Sequence, residues 1–302
     1  MRKIILGDNL EVLSGLADGS FRLVYIDPPF NTGKTQTRVF LKTERDEANG
    51  DRTGFKGMRY RSTEVGRGSY ADSFDDYLAF LEPRLIEARR VLTEDGSLFF
   101  HIDYREAHYC KVLLDSIFGR ASFMNEIIWA YDYGARSKSK WPSKHDTIFW
   151  YAKDPENYVF RYDEMDRIPY MAPGLVGPEK AALGKTPTDV WWHTIVSPTG
   201  KEKTGYPTQK PIGILERILK VHSEPGDSIL DFFAGSGTTG EAAVRLGRSV
   251  VLVDSNPDAM KVMSKRLAGP DLECVGFSPP EQNSELQATL FEAQVTRLPA
   301  NQ

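Results

Sequence analysis

Asp27, in the stretch Tyr25-Ile26-Asp27-Pro28-Pro29-Phe30-Asn31, ends an apolar run with a carboxylate, and two prolines and an aromatic follow at fixed offsets. Proline has a fixed φ and no N–H, and Pro29 drives Pro28 out of the helical region, so these residues make a stiff extended corner. The carbonyls of Asp27 and Pro28 have no continuing strand to pair with, which leaves acceptors without donors. An amino group with two hydrogens satisfies such acceptors, and Phe30 can stack on the plane that carries the amine. A rigid turn with a capping acid uses the same residues, and Asp-Pro-Pro alone does not separate the two readings.

A second constellation lies in "GDSILDFFAGSGTTGEAAVRLGRSVVLVDSNP", which reads as strand, glycine turn, helix, strand and acid. Gly235 and Gly237 let the backbone bend sharply and approach a ligand, and Thr238 and Thr239 can cap the helix that follows. Amides at that helix start point toward something negative. Asp254 closes the next strand, where a carboxylate can accept both hydroxyls of a ribose. The arrangement suits a nucleoside. It lacks the third glycine of the dinucleotide fingerprint, so dehydrogenase and methyltransferase both remain open on these residues.

Both constellations need a parallel sheet to hold them. Short β-branched runs at residues 3–6, 23–26, 97–102, 127–131, 147–151, 228–230 and 249–253 predict strands. Helical periodicity over 9–16, 75–92, 104–118, 211–222, 238–246 and 257–267 predicts the helices that cover them. The fold class is α/β, mostly parallel with helices on both faces. Residues 31–72, rich in Gly, Arg, Lys and Thr, and residues 154–207, rich in proline, break the alternation; both read as long substrate-facing insertions. Residues 1–269 form the expected body, and the acidic 270–302 an expected disordered tail.

Net charge is −4, and the tail carries all of it, with five acids against one base. Inside the neutral body, residues 31–68 hold nine Lys or Arg against five acids, among them Lys34 and Arg38. Arg136, Lys138, Lys140 and Lys144 gather beside Trp141. Basic residues interleaved with an aromatic suit phosphate contacts, as they also suit a merely solvated face. No apolar run reaches the roughly 18 to 20 residues of a membrane span, and the first residues turn polar too soon for a signal peptide, so a cytoplasmic protein is expected. Cys110 and Cys274 stand in no zinc or disulfide spacing, and the five histidines have no metal-ligand spacing. No metal is expected.

Taken in order, "DPPF", "YPTQKP" at 206–211 and "DFFAGSGTT" at 231–239 closely resemble the beta group of DNA amino-methyltransferases, which use S-adenosylmethionine. "GDNLEVL" and "LTEDGSLFFHID" extend the resemblance over nearly the whole body. The resemblance implies a circularly permuted Rossmann-like sheet, with the strands before Asp27 and Asp231 side by side at its centre. It implies that Asp27 and Pro28, stiffened by Pro29, hold the exocyclic amine of a flipped base stacked on Phe30. It further implies that Asp8, Asp27, Thr208, Lys210, Phe232, Ala234, Gly235, Gly237, Thr238, Asp254 and Asn256 line the cofactor site. Residues 154–207 take the place of the target-recognition segment, and 31–72 that of a DNA-facing loop. Implied partners are double-stranded DNA and a cognate restriction endonuclease, with the chain a monomer or homodimer.

Cytosine C5 methylation requires a cysteine nucleophile, and neither cysteine has the Pro-Cys context of that family. Asp at position 27 is paired with adenine N6 in the family more than with cytosine N4, although both amines present the same two hydrogens. An enzyme acting on RNA or on a protein amide is the remaining alternative; such enzymes often carry Asn at that position.

Overall fold

A computed structural model describes residues 1–31, 34–45, 52–53, 59–72, 74, 76–134, 136–197, 200 and 202–279, with the backbone alone for 34–45, 52–53 and 60–72. In chain order the strands are β1 (Arg2–Leu6), β2 (Phe21–Ile26), β3 (Lys34–Arg45), β4 (Arg52–Thr53), β5 (Arg59–Asp72), β6 (Leu92–Ile102), β7 (Phe123–Ala130), β8 (His145–Ala152), β9 (Val190–Trp192), β10 (Ser228–Asp231), β11 (Ser249–Asp254) and β12 (Leu272–Val275). The helices are α1 (Asn9–Ser14), α2 (Tyr77–Val91), α3 (Ala107–Phe118), α4 (Pro178–Leu183), α5 (Ile212–His222), α6 (Thr238–Arg245) and α7 (Pro257–Arg266).

Nine strands make one sheet in the order β12-β1-β11-β10-β2-β6-β8-β7-β9. From β12 through β6 all neighbours are parallel; β8 is antiparallel to β6 and β7, and β9 runs parallel to β7. The centre is the pairing of β10 with β2, Ile229 opposite Leu23 and Leu230 opposite Val24. The strands bearing the two sequence constellations therefore lie side by side, as the resemblance implies.

Alternation along each strand divides the core between the two faces. Val24 and Ile26 of β2 and Phe100 of β6 join Leu13, Leu81, Leu85 and Leu114 on the face covered by α1, α2 and α3. Leu23 and Tyr25 join Leu215, Ile218, Ala242, Met260 and Met263 under α5, α6 and α7. Each fully buried Val, Leu, Ile, Phe or Met among them contributes about 1.5–3 kcal/mol. Helix starts are fixed by local acceptors: Asp8 receives Leu10 and Glu11 amides, Asp76 the Ala79 amide, and Asn256 the Asp258 amide, with Pro257 following it. Among the described residues no helix is long and apolar enough to cross a membrane.

All seven expected strands and all six expected helices form, with ends shifted by a few residues. Three readings need correction. Residues 31–72, expected as an irregular loop, contain a long antiparallel ribbon in which β5 pairs with β3 and β4. A two-stranded ribbon rests on its backbone ladder, so composition gives little sign of it. The tail does not start at residue 270, because β12 pairs with β1 and seats Leu272 and Cys274 against the core. A four-residue edge strand interrupted by Glu273 is too short to show a period that would announce it. The stretch 154–207, read as a proline-rich break in the alternation of strands and helices, nevertheless carries the short helix α4 and the edge strand β9. Residues from 280 onward lie outside the described residues.

Candidate active site

At the carboxyl ends of β10 and β2 the strand order reverses, since the chain leaves β10 toward β11 and leaves β2 toward β6. Such a switch point opens a crevice in a parallel sheet. Here it holds a cavity of about 360 Å³ whose walls include Asp27, Pro28, Pro29 and Phe30 from one strand end, and Phe232, Ala234, Gly235 and Thr238 from the other. Asp8, Thr208, Lys210, Asp254 and Asn256 complete the predicted set on its walls.

The parallel strands share a way of ending. Asp8 just beyond β1, Asp103 just beyond β6, Asp231 at the end of β10 and Asp254 at the end of β11 each turn Oδ1 back to accept the amide two residues on. The donors are Leu10 (2.9 Å), Arg105 (3.0 Å), Phe233 (3.0 Å) and Asn256 (2.8 Å). This is the usual Asx turn. Asp27 stands at the corresponding end of β2, but two residues on is Pro29, which has no N–H. Its Oδ1 is buried without a hydrogen-bond partner. The prolines thus withhold the local donor and leave one buried carboxylate oxygen without a hydrogen bond.

The other oxygen is taken. Lys210 Nζ donates to Asp27 Oδ2 at 2.5 Å and stands 4.6 Å from the centre of the Phe30 ring. The corner itself is pinned from behind: Tyr77 hydroxyl donates to the Pro29 carbonyl at 2.6 Å, and Asn31 donates to Glu106 at 2.9 Å while accepting the Phe74 amide at 3.1 Å. Asn31 holds φ at 51° and Thr208 at 58°. For a β-branched residue that left-handed conformation is strained, and it marks the turn that aims Lys210 into the cavity.

On the opposite wall the glycine turn runs with Gly235 at φ 48° and Gly237 at φ 72°. Gly235 donates its amide to Asp254 Oδ2 at 2.8 Å, tying the turn to the end of β11. A Cβ on Gly235 would stand 3.2 Å from the Tyr206 ring, which lines the same cavity. Gly237 stands behind the wall rather than in it, packed where a Cβ would lie 2.7 Å from Met263 Cγ. Arg266 braces the turn from outside through the Ser236 carbonyl and Thr238 hydroxyl, both at 3.1 Å.

Three carboxylates on adjacent strand ends make the floor acidic. Burial pushes the Asp231 carboxyl up to about 7; the charges of Asp27 and Asp254 add to this, against hydrogen bonds from Thr239 and Phe233. Burial likewise raises Asp254. At the far end, Arg84 donates to Asn9 Oδ1 (2.6 Å), the Phe80 carbonyl (2.8 Å) and Asp8 Oδ2 (3.3 Å), and lies over the Phe80 ring.

Beneath Phe30 lies a buried polar chain. Tyr25 hydroxyl meets His101 Nδ1 at 2.7 Å, His101 Nε2 meets Asp146 Oδ2 at 3.2 Å, and Tyr131 donates to Asp146 Oδ1 at 3.1 Å. Burial raises the Tyr25 hydroxyl well above its ordinary range, helped by Asp27, Asp231 and Asp146, so it remains a donor. Burial pushes Asp146 up, but hydrogen bonds and charge from His101, with Lys210 and Tyr131, hold it below the usual carboxylate range. Tyr131 and Asp146 flank the segment 132–144. The register of β6, β8 and β7 brings this segment out at the same sheet edge as the cavity.

That segment carries the predicted DNA contacts. Trp141 is 94% exposed, Lys138 and Lys140 are exposed, Arg136 pairs with Asp132, and Lys144 donates to the Tyr133 carbonyl. The side chains of Lys34 and Arg38, on β3, lie outside the described residues. Sequence reading missed Asp231, Tyr206, Arg84 and Phe80 on the cavity wall. Asp231 had a signal, since "LDFF" ends its strand as "IDPP" and "VDSN" end theirs. Tyr206 lay within the quoted "YPTQKP", whereas Arg84 sits mid-helix with nothing local to mark it.

Residues 21–265 match the family model described as DNA methylase, of the N6 and N4 type. The chain is 28% identical over 276 residues to the type II methyltransferase M.HpaI of Haemophilus parainfluenzae, covering 91% of this chain and 76% of the relative. It is 28% identical over 279 residues to the DNA adenine methyltransferase YhdJ of Escherichia coli K12, covering 88% and 82%. Its fold is similar to that of the M1.HpyAVI–SAM complex, with a TM-score of 0.57 at 20% identity over 89% of this chain and all of the other.

Proposed function

The chain belongs to the N6/N4 family of DNA methylases, and on that premise we propose that it moves a methyl group from S-adenosylmethionine to the N6 amine of adenine in double-stranded DNA. The observation that carries the reading is the orphaned, buried Oδ1 of Asp27, a residue on the wall of a cavity shared with the glycine turn. S-adenosylmethionine, when bound, supplies a methyl group activated on a sulfonium. The residues fit such a ligand: a glycine turn with no side chain to fill the cradle, Asp254 at the end of the next strand, and a volume in the range of small-molecule sites. Asp254 and Asn256 would hold the ribose end, Asp8 the adenine end, and Phe232, Ala234, Gly235 and Thr238 the wall between them.

An amine conjugated to a base ring is a poor nucleophile because the ring shares its lone pair. Asp27 Oδ1 and the Pro28 carbonyl each accept one amine hydrogen, which favours a tetrahedral nitrogen whose lone pair faces the glycine turn. Phe30 stacks on the base and sets its plane. Orientation of this kind lowers barriers by roughly 7 to 11 kcal/mol in well-placed systems, and Asp27 stabilises positive charge developing on the nitrogen. Reaching the amine requires flipping the base from the duplex, at a few kcal/mol. Segment 132–144 and the β3–β5 ribbon supply phosphate contacts, and 154–207 reads the target. Adenine is favoured over cytosine by Asp at position 27 and by the likeness to an adenine-specific relative.

The test is incubation with labelled cofactor and DNA, digestion to nucleosides and identification of the labelled one. N6-methyladenine is expected. N4-methylcytosine would overturn the base assignment, and label in RNA or protein but not DNA would overturn the substrate class. Asp27→Ala should keep cofactor binding and lose turnover.

A further inference from the structure

Lys210 crowds the corner assigned above to the flipped base. Its ammonium bonds to Asp27 Oδ2, the carboxylate oxygen beside the Oδ1 assigned to the amine, and sits over the Phe30 ring on which the base would stack. The side chains are only 11% and 17% exposed, so this ion pair is largely shielded from water. A base cannot stack on Phe30 while an ammonium lies 4.6 Å from the centre of that ring. Lys210 must leave, and in a shielded site a departing cation needs another anion to go to.

The backbone of Lys210 is not free to move with it. Thr238 hydroxyl donates to the Lys210 carbonyl at 3.2 Å, fixing the residue to the start of α6 on the glycine-turn wall. The side chain therefore pivots from the cofactor wall toward Asp27. Arg84, the other cation among the described residues of the cavity wall, has Nε and both terminal nitrogens engaged with Asn9, Phe80 and Asp8. Lys210 is thus the cation placed to exchange partners.

We propose that Lys210 covers the base's corner at Asp27 and Phe30 until the amino-acid carboxylate of the bound cofactor takes its ammonium, so that cofactor binding opens that corner to the base. The inference rests on the methyltransferase reading. It makes Asp27 and the ligand carboxylate competitors for one cation, and by linkage each weakens the other's hold on it.

The test needs no DNA. S-adenosylhomocysteine carries the amino-acid carboxylate, and 5′-methylthioadenosine has the same nucleoside and thioether without it. Both are titrated by calorimetry into wild type, Asp27→Asn, Lys210→Met and the double variant. Asp27→Asn should tighten S-adenosylhomocysteine about fivefold or more and leave methylthioadenosine unchanged. Lys210→Met should weaken S-adenosylhomocysteine alone, and in its background Asp27→Asn should have no effect. Methylthioadenosine binding certifies the fold of each variant; Asp27→Ser or Lys210→Gln replaces any that fails it. Unchanged or weaker S-adenosylhomocysteine binding in Asp27→Asn, an equal shift for both ligands, or a shift that persists with Lys210→Met would each overturn the proposal. Wild type that binds neither ligand would instead overturn the methyltransferase reading.

Discussion

Pro29 stands two residues after Asp27, at the offset from which Asp8, Asp103, Asp231 and Asp254 each receive a backbone amide. Its missing N–H is what leaves Asp27 Oδ1 unpartnered. Pro29→Ala restores that donor and lets the carboxylate close on its own backbone. A net hydrogen bond to a charged group is worth about 1.5–3 kcal/mol, so kcat should fall about 10- to 100-fold with cofactor affinity retained. Pro28→Ala also loosens the corner but places its new amide one residue too early. A larger loss for Pro29→Ala than for Pro28→Ala isolates the donor, and equal losses would show that stiffness alone matters.

Asp231 gives a pH prediction. Its carboxyl is pushed up from an ordinary 3.8 to about 7, so between those values the folded chain keeps a proton that the unfolded chain releases. Its contribution to stability is full below about pH 4 and is lost as pH rises through 7. Asp231→Asn removes this dependence. Wild-type stability relative to that variant should fall by about 1.4 kcal/mol per pH unit across the window, read from urea midpoints at pH 4.5, 6 and 7.5. A constant difference would mean that Asp231 stays ionised throughout.

The exposed segment between β7 and β8 gives a salt prediction. Lys138→Ala with Lys140→Ala should reduce the slope of log K against log salt for duplex DNA by about 0.9 for each phosphate that the lysines neutralise. Trp141→Ala should weaken binding with the slope unchanged, because a stacked ring releases no counterions. Fluorescence anisotropy from low to moderate salt checks both, and unchanged slopes in the lysine pair would remove this segment from the DNA interface.

Gly237 begins α6 in the left-handed region, against Met263. Gly237→Ala should destabilise the fold by about 1–3 kcal/mol, visible as a lower melting temperature. Because Gly237 stands behind the cavity wall, the variant that remains folded at low temperature should bind cofactor with near-normal affinity.

Much of the site is legible in the sequence where one residue type settles a backbone question. Asp-Pro-Pro announces acceptors without donors, and the glycine turn followed by Asp254 announces two parts of one ligand wall; that the Gly235 amide also bonds Asp254 at 2.8 Å is added by the structure. Lys210 shows where that legibility stops. Its motif marks it for the cofactor, but the bond to Asp27 crosses 183 positions of chain and depends on the order of strands. Arg84 is similar, a helix residue held on the cavity wall by Asp8 and Asn9, which β1 and α1 bring beneath it. The edge strands β9 and β12 are invisible for another reason: segments of three and four residues are too short to show a period and acquire their structure from a neighbour's unpaired backbone.

The adjacency of β2 and β10 also bears on how the molecule comes to exist. Leu23 is made early and its partner Ile229 late, so β2 leaves the ribosome with β6 to pair on one side and nothing on the other. Until the last third of the chain emerges, the middle of the future sheet is an open edge, the kind of surface that seeks other chains. Folding must wait for a contact of long sequence separation, which slows it. Lower synthesis temperature or a holdase chaperone should therefore raise the soluble yield, and truncation before β10 should yield aggregate rather than a folded half.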